Sequence, residues 1–69
     1  MSNKKYRIIF DENVSSYRIN KIAIDMFGAF SINVKTFSNG FVFWTYDELL
    51  SEIKKFLRDE VRRYELERV

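Results

Sequence analysis

Asp11 and Glu12 follow the run YRIIF at residues 6–10. Together with Asp25 they form an acidic grouping whose place after a strand would suit Mg²⁺, as strand-end acids do in metal-dependent nucleases. The same pair is ordinary turn chemistry, and that reading is preferred. The chain has no His and no Cys, which excludes imidazole acid–base work, thiol nucleophiles and the common zinc sites. Its two glycines, Gly28 and Gly40, are too far apart for a phosphate-cradling loop. No catalytic residue is assigned, and neither a metal nor a cofactor is expected.

What the residues do offer is surface for binding. The stretch at 32–46, INVKTFSNGFVFWTY, reads as two strands folded about Asn39-Gly40, the dipeptide best able to supply the positive φ values of a type I′ turn. That turn pairs Phe37 with Val42 and Lys35 with Trp44. Alternation puts Ile32, Val34, Thr36, Phe41 and Phe43 on one face, and Lys35, Phe37, Val42 and Trp44 on the other. Both faces are apolar, and one small domain readily covers only one of them. Three readings of the second face follow: a protein interface, a stacking platform for single-stranded nucleic acid, or plain core between helices on both sides. The protein interface is preferred.

Charge supports that order. Twelve basic and ten acidic residues give a net charge of +2, with +3 in residues 1–45 and −1 in residues 46–69. Lys54, Lys55, Arg58 and Arg62 form a basic ridge on one side of a helix and are the nucleic-acid candidates, although neighbouring acids also make them an ordinary solvated face. A protein held mainly by phosphates would be more basic. YRIIFDEN also lacks the glycines of the RRM octapeptide.

These residues need elements to hold them. Residues 6–10 are a strand, with Tyr6, Ile8 and Phe10 on one side and near-continuous apolarity that suits a central position. Residues 14–27 read as a helix with Ser15 as N-cap, an apolar stripe of Ile19, Ile22, Ala23, Met26 and Phe27, and Gly28 just past its end; Tyr17 and Ile24 lie on the far side. An extended segment there, giving a β-β-β-β-α meander, is the alternative. After the hairpin, Thr45 and Glu48 make a capping box. Tyr46, Leu49, Leu50, Ile53, Phe56, Leu57, Val61 and Tyr64 then form a stripe along a helix with no Gly or Pro to stop it before about Glu67. Such a helix would overhang the sheet and carry Val61 and Tyr64 outward as interface residues. Glu60 falls within the stripe, either paired with Arg7, Arg18 or a second subunit, or wet beyond the sheet edge.

The expected fold is therefore α+β: a two-layer β-α-β-β-α domain over residues 1–69, with a three-stranded sheet, a long C-terminal amphipathic helix and a flexible end at residues 1–4. Sixty-nine residues bury a small core, and with no disulfide available, aromatic packing and self-association must supply stability. No apolar run reaches membrane-spanning length and no secretory signal is evident, so a cytoplasmic protein away from membranes is expected. The amino-acid usage resembles that of AT-rich bacteria and their phages. The functional expectation is a small, self-associating regulator or inhibitor that binds a larger protein, with nucleic-acid binding as the alternative.

Overall fold

The alternation in the first strand and the hairpin decides the layers. In the computed structural model, which describes residues 3–69, the elements are β1 (Lys4–Phe10), α1 (Ser16–Phe30), β2 (Val34–Phe37), β3 (Gly40–Thr45), α2 (Asp47–Glu60) and β4 (Tyr64–Arg68). The four strands form one antiparallel sheet in the order β2-β3-β1-β4. Each helix joins two strands that run the same way with a third strand between them. This is the split β-α-β, or ferredoxin-like, arrangement. Tyr6, Ile8 and Phe10 of β1 and Phe41 and Phe43 of β3 are buried beneath Ile19, Ile22, Ala23 and Met26 of α1 and Ile53 and Leu57 of α2. Both helices thus cover one face of the sheet, and aromatic pairs such as Tyr6–Phe43 and Phe10–Phe41 fill the layer between.

The α+β class and the helix at α1 agree with the sequence reading; the three-stranded sheet and the long C-terminal helix do not. α2 stops at Glu60, where Arg18 Nη2 donates to the Glu60 carbonyl at 2.6 Å and approaches its carboxylate at 3.5 Å. A cation at the C-terminal end of a helix satisfies a terminal carbonyl and opposes the helix dipole. Val61 then turns extended, with φ −139° and ψ 149°. The fourteen-residue helix is about 21 Å long, which matches the strands beneath it and leaves no overhang. Residues 64–68 instead pair with β1 as β4. Residues 1 and 2 of the expected flexible end lie outside the described residues, whereas Lys4 opens β1 opposite Thr45.

Local details shift as well. The hairpin turn is Ser38-Asn39, with Phe37 opposite Gly40 and Val34 opposite Phe43, two residues from the expected register. Neither glycine has a positive φ. Gly40 is required for a different reason: a Cβ there would collide with the Ile8 carbonyl of β1. Ser15 caps α1, its Oγ accepting from the Arg18 N–H at 3.2 Å, as expected. The helix runs through Gly28 to Phe30, and Ser31 takes the left-handed position with φ 55°. Tyr46, without a side-chain hydrogen bond, is the N-cap of α2. Thr45 is buried instead, and its hydroxyl finds no hydrogen-bond partner among the described residues.

Two substitutions separate these effects. Gly40→Ala should destabilise by about 1–3 kcal/mol because the β1 carbonyl cannot move aside. Thr45→Val removes an unpaired buried hydroxyl at constant shape and should stabilise by about 1 kcal/mol, a rise of roughly 4–8 °C in Tm. Thermal unfolding followed by circular dichroism checks both.

Candidate protein-binding surface

With both helices on one side, alternation delivers every second residue of the sheet to an uncovered face. Cross-strand rows define it. Lys35, Val42, Arg7 and Glu67 form one row, and Phe37, Gly40, Ile9 and Glu65 the next. A third row begins Trp44, Lys5. Ile9, Val42 and Trp44 are half-buried by their neighbours, and Phe37 remains 39% exposed at the edge. These four apolar side chains run across the face from the β2 edge to the central strands β3 and β1. Lys5 Nζ lies 5.8 Å from the centre of the Trp44 ring, within cation–π range. A shallow hollow of about 570 Å³ beside the indole is bordered by Asn33, Val34 and Lys35.

The electrostatics of the face are mixed. Arg7 Nε donates to Glu67 Oε1 at 2.8 Å, and Arg7 Nη2 donates to the same oxygen, so this guanidinium is already engaged within the sheet. Glu65 adds a second acid on β4. Lys5 and Lys35 are the cations beside the aromatics. The face thus interleaves apolar side chains with charges of both signs, Lys5 and Arg7 on the inner strand β1 and Lys35, Glu65 and Glu67 on the edge strands.

The structure brings together Lys35, Phe37, Val42 and Trp44, as the sequence indicated. It removes Val61 and Tyr64 from the candidate interface. Val61 is buried in the core, and Tyr64 is a half-buried strand residue opposite Phe10, on the helix-covered face. Lys54, Lys55 and Arg58 are exposed on α2, but Arg62 lies in the loop after it, so the four-residue ridge does not form. The basic residues of α2 also belong to the helical layer, on the other side of the sheet from Trp44. No three of the acidic side chains converge among the described residues, so Asp11, Glu12 and Asp25 do not make a cluster. Phe27, assigned to the α1 core stripe, is instead 60% exposed. Lys5 and Ile9 were missed as members of the open face, although the alternation of β1 already placed Ile9 opposite in sense to Tyr6, Ile8 and Phe10.

A polar clamp fixes the end of the sheet near Trp44. Lys4 Nζ donates to Asp47 Oδ2 at 2.7 Å, and the Tyr6 hydroxyl donates to Asp47 Oδ1 at 3.2 Å. The Lys4 hydrogen bond, then that of Tyr6, hold the Asp47 carboxyl below its ordinary range. Burial first, and then the Asp47 carboxylate, push the Tyr6 phenol above its own.

No family model, curated protein or solved structure matches this chain. No helix among the described residues is long and apolar enough to cross a membrane. The ferredoxin-like arrangement is shared by many unrelated functions, so the surface itself must carry the functional argument.

The clamp sets a pH dependence. A carboxyl whose folded pKa is depressed contributes stability that is present above its unfolded value and lost as pH falls through the folded one. Wild type should therefore lose stability on acidification below about pH 4, and Asp47→Asn should flatten that part of the curve. Urea unfolding across pH 2–5 with both proteins measures the difference.

Proposed function

We propose that the protein is a non-catalytic regulator or inhibitor that binds a larger protein through the open sheet face and associates with itself. The observation that carries this reading is that Ile9, Phe37, Val42 and Trp44 form one apolar patch on a face that neither helix covers. Covering such a patch contributes about 25 cal/mol per Å² of apolar area removed from water. Val42 lies at its centre, and Trp44 and Phe37, one row to either side, are aromatic residues of the kind that form interface hot spots. The charges of the face, Lys5 and Lys35 beside the aromatics and Glu65 and Glu67 on β4, suit a partner of mixed charge. The function takes place within a cell, and the small size and amino-acid usage fit a phage-like protein that blocks or steers a larger machine.

The nucleic-acid reading keeps one specific observation in its favour. A four-stranded sheet of this topology with a tryptophan on a central strand and a lysine over its ring is a layout on which bases stack. It is weakened by the two glutamates on the same face and by the separation of the α2 lysines from it.

Affinity purification with tagged wild type and point variants tests the main reading. Trp44→Glu should abolish capture of the specific protein partner, at least a hundredfold loss of affinity, while circular dichroism is unchanged. Lys54→Glu, exposed on α2 on the helical side, should retain that partner. Unfolding of Trp44→Glu, or undiminished capture by it, would remove the open face as the binding site.

A further inference from the structure

Tyr17, Ile24 and Phe27 on α1 are 80%, 70% and 60% exposed. With Asn20 they lie at positions spaced three, four and three residues apart, the spacing of a seam between two helices. The buried stripe of Ile19, Ile22, Ala23 and Met26 already attaches α1 to the sheet, and this second stripe is left exposed. Beside it runs β2, an edge strand. Trp44 N–H donates to the Asn33 carbonyl, and Lys35 and Phe37 follow in register opposite Val42 and Gly40. Antiparallel alternation directs the backbone groups of those residues toward β3, so the N–H and C=O groups of Val34 and Thr36 point out of the sheet. A groove of about 540 Å³ between α1 and β2 joins the two features, with Ala23, Ile24, Phe27, Val34 and Thr36 in its lining.

We propose that this side of the molecule is a homodimer interface in which β2 pairs antiparallel with the β2 of a second copy while the two α1 helices pack together. The inference rests on the self-association in the functional reading and gives it a location at the β2 edge, which adjoins the open face and shares Lys35 and Phe37 with it. A second copy is the occupant because one two-fold axis, perpendicular to the sheet, satisfies both features. It sets β2 antiparallel to itself and, since α1 packs on β2, sets α1 antiparallel to itself as well.

Symmetry also narrows the register. Such an axis keeps each side chain on its own face, so one residue of β2 must sit opposite its own copy. Lys35 opposite Lys35 would bring two ammonium groups together in a close pair. Thr36 opposite Thr36 forms a doubly hydrogen-bonded pair and places Lys35 of each copy across from Phe37 of the other, a cation beside an aromatic ring. The area is adequate. At 150–250 Å² for a whole aromatic side chain, Tyr17, Ile24, Phe27 and Phe37 offer on the order of 500 Å² per copy. With a rim added, that approaches the roughly 800 Å² per partner of a standard interface. The product is a continuous eight-stranded sheet with two copies of the open face side by side.

The test combines mass and cross-linking. Analytical ultracentrifugation should give twice the 8.4 kDa chain mass, and Ile24→Glu, an exposed position, should give monomer with unchanged circular dichroism. The chain has no cysteine, so Thr36→Cys is a single clean probe. Hydrogen-bonded antiparallel pairs have Cα atoms about 5.5 Å apart, within disulfide reach. Thr36→Cys should therefore form a covalent dimer under mild oxidation, and Val42→Cys should not. A wild-type chain that remains monomeric up to about 1 mM overturns both this interface and self-association. A dimer that survives Ile24→Glu and cross-links through Val42→Cys instead overturns this interface alone and moves self-association to the open face.

Discussion

β1 is hydrogen-bonded along both edges, to β3 on one side and to β4 on the other, and the rest of the chain is arranged to make that possible. A strand in that position must have a partner arriving from each direction. The hairpin supplies one. The other must come from the end of the chain, carried across the sheet by α2. Because both crossovers pass over the same face, the two helices share it, and Ile8, Phe10, Phe41 and Phe43 are enclosed with Ile53 and Leu57 in one layer. Sixty-nine residues provide no second layer. The exposure of Trp44, Val42 and Ile9 on the opposite face follows from that geometry.

The ends of the helices are where tertiary contacts take over from local sequence. α2 has no glycine or proline to stop it, and a local reading extends it by about two turns. It ends at Glu60, whose carbonyl accepts from Arg18 in the first turn of α1. Residues 64–68 then pair with β1, where Arg7 and Glu67 sit directly opposite and form an ion pair. The pair is exposed, and such pairs contribute little to stability; its use is in fixing the register of β4. The Arg18–Glu60 and Lys4–Asp47 contacts similarly join one helix to the next and the first strand to the second helix.

Much of this was legible in the residues. Period-two alternation sorted the residues of β1 and of the hairpin into two faces but left open which one the helices cover, and period-3.6 spacing identified the α1 face that contacts the sheet. The paired apolar faces of the hairpin correctly signalled that one would remain uncovered. β4 was missed because Tyr64 continues the i, i+3 pattern from Val61, and a helical reading absorbs both. Two signs pointed otherwise. Leu66 falls outside the helical stripe yet alternates with Tyr64 at strand spacing, and a central β1 cannot be flanked on both sides by one tight hairpin. Asn39-Gly40 misled for a related reason. Gly40 is needed for the approach of the Ile8 carbonyl, a long-range requirement that looks the same in sequence as a turn. The exposure of Phe27 depends on how α1 is rotated against the sheet, which the stripe alone leaves open by one residue at its edge.

On the proposed function, Trp44 belongs to a protein-binding face rather than to a platform for bases. As the only tryptophan in the chain, it reports on that face without labelling. Its fluorescence during titration with a mixed-sequence single-stranded oligonucleotide, at low salt and again at high salt, is the most direct test. A protein-binding face should give an emission indifferent to the oligonucleotide at both ionic strengths. Quenching at low salt that high salt abolishes would contradict it, because only phosphate-steered stacking of bases on the sheet responds in that way.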